Sequence, residues 1–354
     1  MNTERDLSLL ELLPEPAFCV RDGIIVKSNA AALGYSLSPG REILPLLLTG
    51  EEEYQEYTDG CLSLQLNLEG QPRSAAVTRL EDIQLFLLDP EEEDDTLRAM
   101  ALAARELRQP LSNLITIADT LLPRTALEQE EKTRQQLARL SRSLYQLEKT
   151  VGNMADAGML NVFFRPEYRD IPSIFEEIFE KAGAMLSDAG ATLHYTGLNQ
   201  TLYGLIDHRL MERAVLNVLS NALKFQPEGC EIQAALTRRG SFLRLSLQDN
   251  GPGIDSSILG SLFRRHLRQP GLEDSRYGIG LGLTIIRSAA MAHGGTVLID
   301  QPEAGGTRVT ITLKLRKPAE TAVHSPGILL SGGRDPALIE LSQCLPLSVY
   351  ENEL

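Results

Sequence analysis

At 354 residues with 43% hydrophobic content, the chain is long enough for two or three domains with ordinary cores, and a net charge of −14 disfavours nucleic acid as a partner. The acidity is uneven: residues 1–95 hold 6 Lys/Arg against 20 Asp/Glu, whereas residues 96–354 balance at 28 of each, so an anionic membrane surface is also a poor partner for the N-terminal part. No apolar run approaches the roughly 18 residues of a membrane span, and acids stand where a signal peptide would be basic, so a cytoplasmic chain without a membrane span is expected.

Residues 8–90 alternate short apolar runs with turn signals. Phe18-Cys19-Val20, an Asp22-Gly23 turn and Ile24-Ile25-Val26 read as a hairpin, followed by a short helix entered through Asn29. Runs at 62–68, 75–77 and 85–88 read as further strands. The arrangement resembles a PAS-type sensory fold, assigned to residues 1–92, with no His or Cys placed to suggest haem or flavin. Cys19, Cys61, Cys230 and Cys344 lie far apart and read as buried or incidental thiols.

From Leu97 the period changes. Leu97, Met100, Ala104, Leu107, Leu111, Leu114, Ala118 and Leu121 alternate spacings of three and four, and after Pro123 a second seam runs through Leu137, Leu140, Leu144, Leu147, Val151 and Met154. Two such helices in residues 93–160 predict an antiparallel hairpin that pairs with a second copy as a four-helix bundle, making the protein a homodimer.

Three motifs follow in fixed order. Asn217, Asn221 and Lys224 fall at i, i+4 and i+7 of an expected helix capped by Asp207, so two amides and an ammonium share one face. Alone, that pattern reads equally as a polar helix face. An alternating strand of Leu243, Leu245 and Leu247 then ends at Asp249, followed by Gly251 and Gly253. A carboxylate at a strand's mouth can accept from an exocyclic amine, and glycines let backbone approach a flat ring, although Asn-Gly and Pro-Gly are also ordinary turn dipeptides. Gly278, Gly280 and Gly282 precede an apolar run at 283–291, which aims loop amides and a helix N-terminus at an anion.

In this order the motifs resemble the N, G1 and G2 boxes of the GHKL ATPase and histidine kinase catalytic domain. The resemblance covers about residues 161–316, including His293-Gly294-Gly295 and Gly305-Gly306-Thr307. It implies a Bergerat α/β sandwich with ATP and Mg2+ as cofactors. Asn221 would hold the metal, Asn217 and Lys224 would reach the phosphates, Asp249 would read adenine, and Gly251, Gly253, Gly278, Gly280, Gly282 and Thr307 would line the nucleotide. Residues 255–277 would form a mobile lid.

Within the first heptad helix, Ala104 to Leu111 resembles the H-box of sensor histidine kinases, with Arg105 in place of the phosphoacceptor His. Guanidinium stays protonated and offers no lone pair, so Arg105 is a poor nucleophile. Glu106 and Gln109 are the remaining candidates for chemistry, as a general base and as a group orienting water. None of His194, His208, His266, His293 and His324 occupies the missing position.

The expectation is a multi-domain α+β protein: a PAS-like α/β domain, a helical hairpin, a GHKL sandwich and an unassigned tail at 317–354. Within that tail 328–333 reads as a strand and 336–341 as a short docking helix, and the acidic end from Tyr350 as loose. Function divides between a pseudo-kinase that binds Mg-ATP and works through a response regulator or a partner histidine kinase, and an active kinase or phosphatase acting on such a partner. A GHKL chaperone or topoisomerase ATPase is a further alternative, weakened by the heptad hairpin.

Overall fold

The computed structural model describes residues 9–89, 103–104, 107, 111–112, 114, 131–157, 164–254, 262–263, 281–317 and 335–351. Strands β1 (Ala17–Arg21) and β2 (Ile24–Ser28) form the expected hairpin across Asp22 and Gly23, both at positive φ, as a two-residue turn that follows strand twist requires. Helix α1 (Ala30–Leu33) follows, capped by Asn29. That buried amide accepts from the N–H groups of Ala17 and Ala32 and donates to the carbonyls of Leu13 and Glu15, so one side chain ties three segments together. Helix α2 (Glu51–Glu56) and strands β3 (Cys61–Leu68), β4 (Gln71–Leu80) and β5 (Ile83–Leu88) complete an antiparallel order β2-β1-β5-β4-β3. Leu62, Leu64 and Leu66 alternate inward onto a core with Phe18, Ile25 and Phe86, whose two rings stack at 4.7 Å.

Helix α3 (Glu131–Ala157) carries the second heptad seam. Residues 103–104, 107, 111–112 and 114 are helical too, and Ala104 and Leu111 are buried against Val151. The seam is not all that α3 buries. A second stripe, Ala138, Tyr145, Lys149 and Asn153, faces the other way and is also buried.

The C-terminal segment begins with β6 (Glu167–Asp170), α4 (Ile171–Asp188), β7 (Thr192–Thr196), β8 (Tyr203–Ile206) and α5 (His208–Phe225). The hairpin β9 (Glu231–Arg239) and β10 (Phe242–Asp249) leads to α6 (Gly282–Ala292), β11 (Val297–Asp300) and β12 (Arg308–Lys314). Strands β11-β12-β10-β9-β7 form one sheet, with β7 parallel to β9 and the other pairs antiparallel. Inward residues Leu243, Leu245 and Leu247 meet apolar faces of α4, α5 and α6 in the largest core.

The N-terminal sheet does not stand apart. Strand β3 pairs antiparallel with β11, setting Cys61 opposite Ile299 and Ser63 opposite Val297, so ten strands form a continuous sheet. A buried ion pair between Arg287 on α6 and Asp89 after β5 closes the same junction. Gly60 enters the joint at φ +92°, where a Cβ would overlap the Ile299 carbonyl. Gly60→Ala is therefore expected to cost at least about 1–3 kcal/mol of strain plus the displaced pairing. Gly40→Ala is the control in a thermal melt, because Gly40 has φ +90° with open space around it.

The described part of the tail, α7 (Pro336–Glu340) and α8 (Leu347–Glu351), packs into the large core. Helix 336–340 is the docking helix read from the sequence, and the strand read at 328–333 lies outside the described residues. The expectation of a loose end at Tyr350 is corrected: its ring is wholly buried, lies 5.4 Å from Tyr145 on α3, and its hydroxyl donates to the Leu338 carbonyl. An aromatic ring this large stabilises a chain end that charge alone would leave in solvent.

Candidate functional site

Helix α5 starts where Asp207 accepts from the Leu210 N–H at 3.1 Å, and the same carboxylate accepts from Arg165 N. The backbone N–H of Asp207 donates to His293 Nε2 at 2.9 Å, while His293 Nδ1 lies 2.7 Å from the Ala289 carbonyl. That pairing sets the proton on Nδ1 and leaves the ring neutral; burial also pushes its pKa down. His293 thus pins the end of α6 to the start of α5, with both nitrogens engaged. His194 is exposed on β7 and His208 opens α5; His266 and His324 lie outside the described residues.

Asn217 is buried on α5, and Asn221 and Lys224 are half-buried farther along it. Asn217 Oδ1 points at the N-terminus of α6, where a Cβ on Gly282 would stand 3.1 Å away. At the other end of α5, Gly251 approaches Gln226, the residue that caps the helix. The two contacts are nine residues apart, about 13 Å along the helix, so an elongated ligand could lie between them.

Asp249 sits at the end of β10. Its Oδ1 accepts from Gly251 N at 2.8 Å and Thr307 N at 3.0 Å, bracing the turn and the last loop. Among the described residues nothing donates to Oδ2, which leaves an acceptor of the kind an amino-purine needs. Gly306, at φ +79°, lies so close that a Cβ would overlap the Asp249 carbonyl, and a Cβ on Gly253 would run into Gln301. Gly306 is needed because its backbone passes close behind Asp249. At one end an acceptor and at the other a helix N-terminus suit a ligand with an amine-bearing ring and an anionic tail.

The structure thus places Asn217 beside Gly282 and groups Asp249 with Gly251, Gly306 and Thr307. Arg105, Glu106, Gln109, Gly278, Gly280 and the lid expected at 255–277 lie outside the described residues, except Leu262 and Phe263. One participant was missed. Glu340, at the end of α7, is 2% exposed and bonds Arg213 and Asn217 directly. Its only sequence signal was the short helix around it.

Residues 206–317 match the family described as "Histidine kinase-, DNA gyrase B-, and HSP90-like ATPase". Similar curated proteins are sensor kinases: the sensor protein KdpD of Mycobacterium tuberculosis is 28% identical over 228 residues, 62% of this chain and 26% of that protein. The adaptive-response sensory kinase SasA of Synechocystis is 28% identical over 254 residues, 68% of this chain and 66% of that one. Residues 206–317 are therefore a GHKL-type ATPase domain, and the chain around it is similar to sensor histidine kinases. The sensor histidine kinase CusS of Escherichia coli, 30% identical over 216 residues, is matched over 44% of its length, so this chain spans a quarter to two thirds of the relatives it resembles. The crystal structure of full-length ShkA in complex with AMPPNP superposes with a TM-score of 0.49 at 21% identity, covering 62% of this chain and 46% of that one. Among the described residues no helix is long and apolar enough to cross a membrane.

Proposed function

We propose that this chain is a two-component signalling protein that binds Mg-ATP and lacks its own phosphoacceptor, acting on a response regulator or a partner histidine kinase through its conformation. The observation that carries the reading is Arg105 in an otherwise complete H-box, taken together with a candidate nucleotide site whose Asp249 is braced through one oxygen while no described residue donates to the other. Asp249 accepts the adenine amine, Lys224 and the N-terminus of α6 face the phosphates, and Asn221 holds magnesium. Bound there, magnesium would neutralise part of the phosphate charge. Residues 1–92 act as a PAS-like sensor, whose signal reaches the catalytic segment through the β3–β11 pairing.

Incubation of the purified chain with radiolabelled ATP tests this reading. The expected result is nucleotide retained by the protein without covalent label. Label held on a histidine establishes the active-kinase alternative, and rapid release of phosphate establishes an ATPase.

A homodimer is part of the same proposal. Leu107, Leu114, Leu140 and Leu147 occupy seam positions yet are 43–54% exposed in one chain. A second hairpin covers them. Leu111 faces inward within the chain, so Leu147→Asp is the cleaner probe: light scattering should give a dimer for the unsubstituted chain and a folded monomer for the variant. An unchanged dimer contradicts the bundle.

A further inference from the structure

Glu340 belongs to none of the three boxes, yet its carboxylate lies at the centre of a buried cluster that reaches the nucleotide site. Oε1 accepts from Arg213 Nε at 2.9 Å, and Oε2 accepts from Asn217 Nδ2 at 3.2 Å. Lys149 Nζ stands 3.8 Å from Oε2. A carboxylate faced by two cations accepts and does not donate. The second hydrogen of Asn217 Nδ2 goes to the Arg213 carbonyl at 2.9 Å, again a group that only accepts.

Both N–H bonds of Asn217 are therefore spent on the interior, and the amide cannot turn over without setting its oxygen against the Glu340 carboxylate and the Arg213 carbonyl. Its oxygen is held outward, toward Gly282 at the head of α6. Oriented this way, Asn217 offers an acceptor. It suits a divalent cation or the water around one, and it opposes a bare phosphate oxygen.

We propose that Glu340 is a positioning residue of the nucleotide site, which fixes Asn217 with its oxygen outward so that this side chain meets the nucleotide's divalent cation or its water shell instead of the phosphates. The proposal rests on the Mg-ATP reading above and gives the tail helix α7 a part in the site. Contact with phosphate oxygens is left to Lys224 and the amides at the start of α6.

The test is titration of the full chain with a non-hydrolysable ATP analogue, once in excess magnesium and once in EDTA. In Glu340→Gln, position 340 gains a donor and Asn217 loses its reason to face outward. The expected result is that the affinity gained from magnesium falls tenfold or more, while affinity in EDTA stays within about twofold. Asn217→Asp in the Glu340→Gln background should restore the magnesium gain, since a carboxylate presents oxygen in either orientation; a merely structural fault at 340 would not be rescued this way. If Glu340→Gln loses its fold by circular dichroism, Lys149→Met with Glu340→Gln removes the stranded cation and the titration is repeated there. An unaltered magnesium gain in the variant, or equal loss in magnesium and EDTA, overturns the role of Glu340 while the Mg-ATP reading stands. Absence of binding by the unsubstituted chain overturns both.

Discussion

Asp249→Ala is expected to abolish binding of a non-hydrolysable ATP analogue, with calorimetry giving one site per chain before the substitution and no measurable heat after it. Asp249 Oδ1 accepts two backbone N–H groups, from Gly251 and Thr307, that hold the turn and the last loop in place. Truncation removes Oδ2, to which no described residue donates, and orphans both amides. Hydrogen bonds to charged groups contribute about 1.5–3 kcal/mol each, so loss of two or three weakens binding by on the order of a hundredfold or more. Asp249→Asn separates the two roles. Its carbonyl oxygen can still brace Gly251 and Thr307, but an amide nitrogen replaces Oδ2 and opposes the adenine amine as donor against donor. The loop should survive and the binding should not. Equal binding by the unsubstituted chain and both variants would remove Asp249 from the adenine assignment.

What the sequence disclosed was local. The period of α5, its cap at Asp207, the alternation of β10 and the hairpin at Asp22-Gly23 are each written within a few residues, and each stands where expected. Asn29 was legible as the entry to a helix, though not its bonds to Leu13 and Glu15. The pairing of β3 with β11 was not legible. It joins segments more than 230 residues apart, and an edge strand that will be covered alternates in the same way as one that will not. Helix α3 shows a subtler failure. Its strict heptad drew attention to Leu140 and Leu147, which are exposed in one chain, and away from Lys149 and Asn153, polar residues that a surface reading accepts and the fold in fact buries. Lys149 is satisfied there by Ser220 and the Glu340 carbonyl, and burial pushes its pKa down. Buried polar groups need partners, and these came from α5 and from a tail with no motif of its own.

Arg105 carries the second large effect. The H-box resemblance sets position 105 where a histidine would meet the γ-phosphate, and there guanidinium can pair with phosphate oxygens in short, bidentate bonds but cannot attack phosphorus. The unsubstituted chain is expected to form no acid-labile, alkali-stable phosphohistidine and to bind ATP more tightly than Arg105→Ala. A clamp is favoured over an arginine finger because hydrolysis also needs a positioned nucleophile, and the sequence suggests no candidate beyond a water held by Glu106 or Gln109. Arg105→His restores a lone pair beside Glu106, a candidate general base, and is expected to turn the chain from one that retains ATP into one that labels itself. His293 does not compete for that role, since its Nε2 already accepts from Asp207 and its Nδ1 is committed to Ala289. Alkali-stable label on the unsubstituted chain, mapped to any of its five histidines, would contradict the missing-acceptor reading directly.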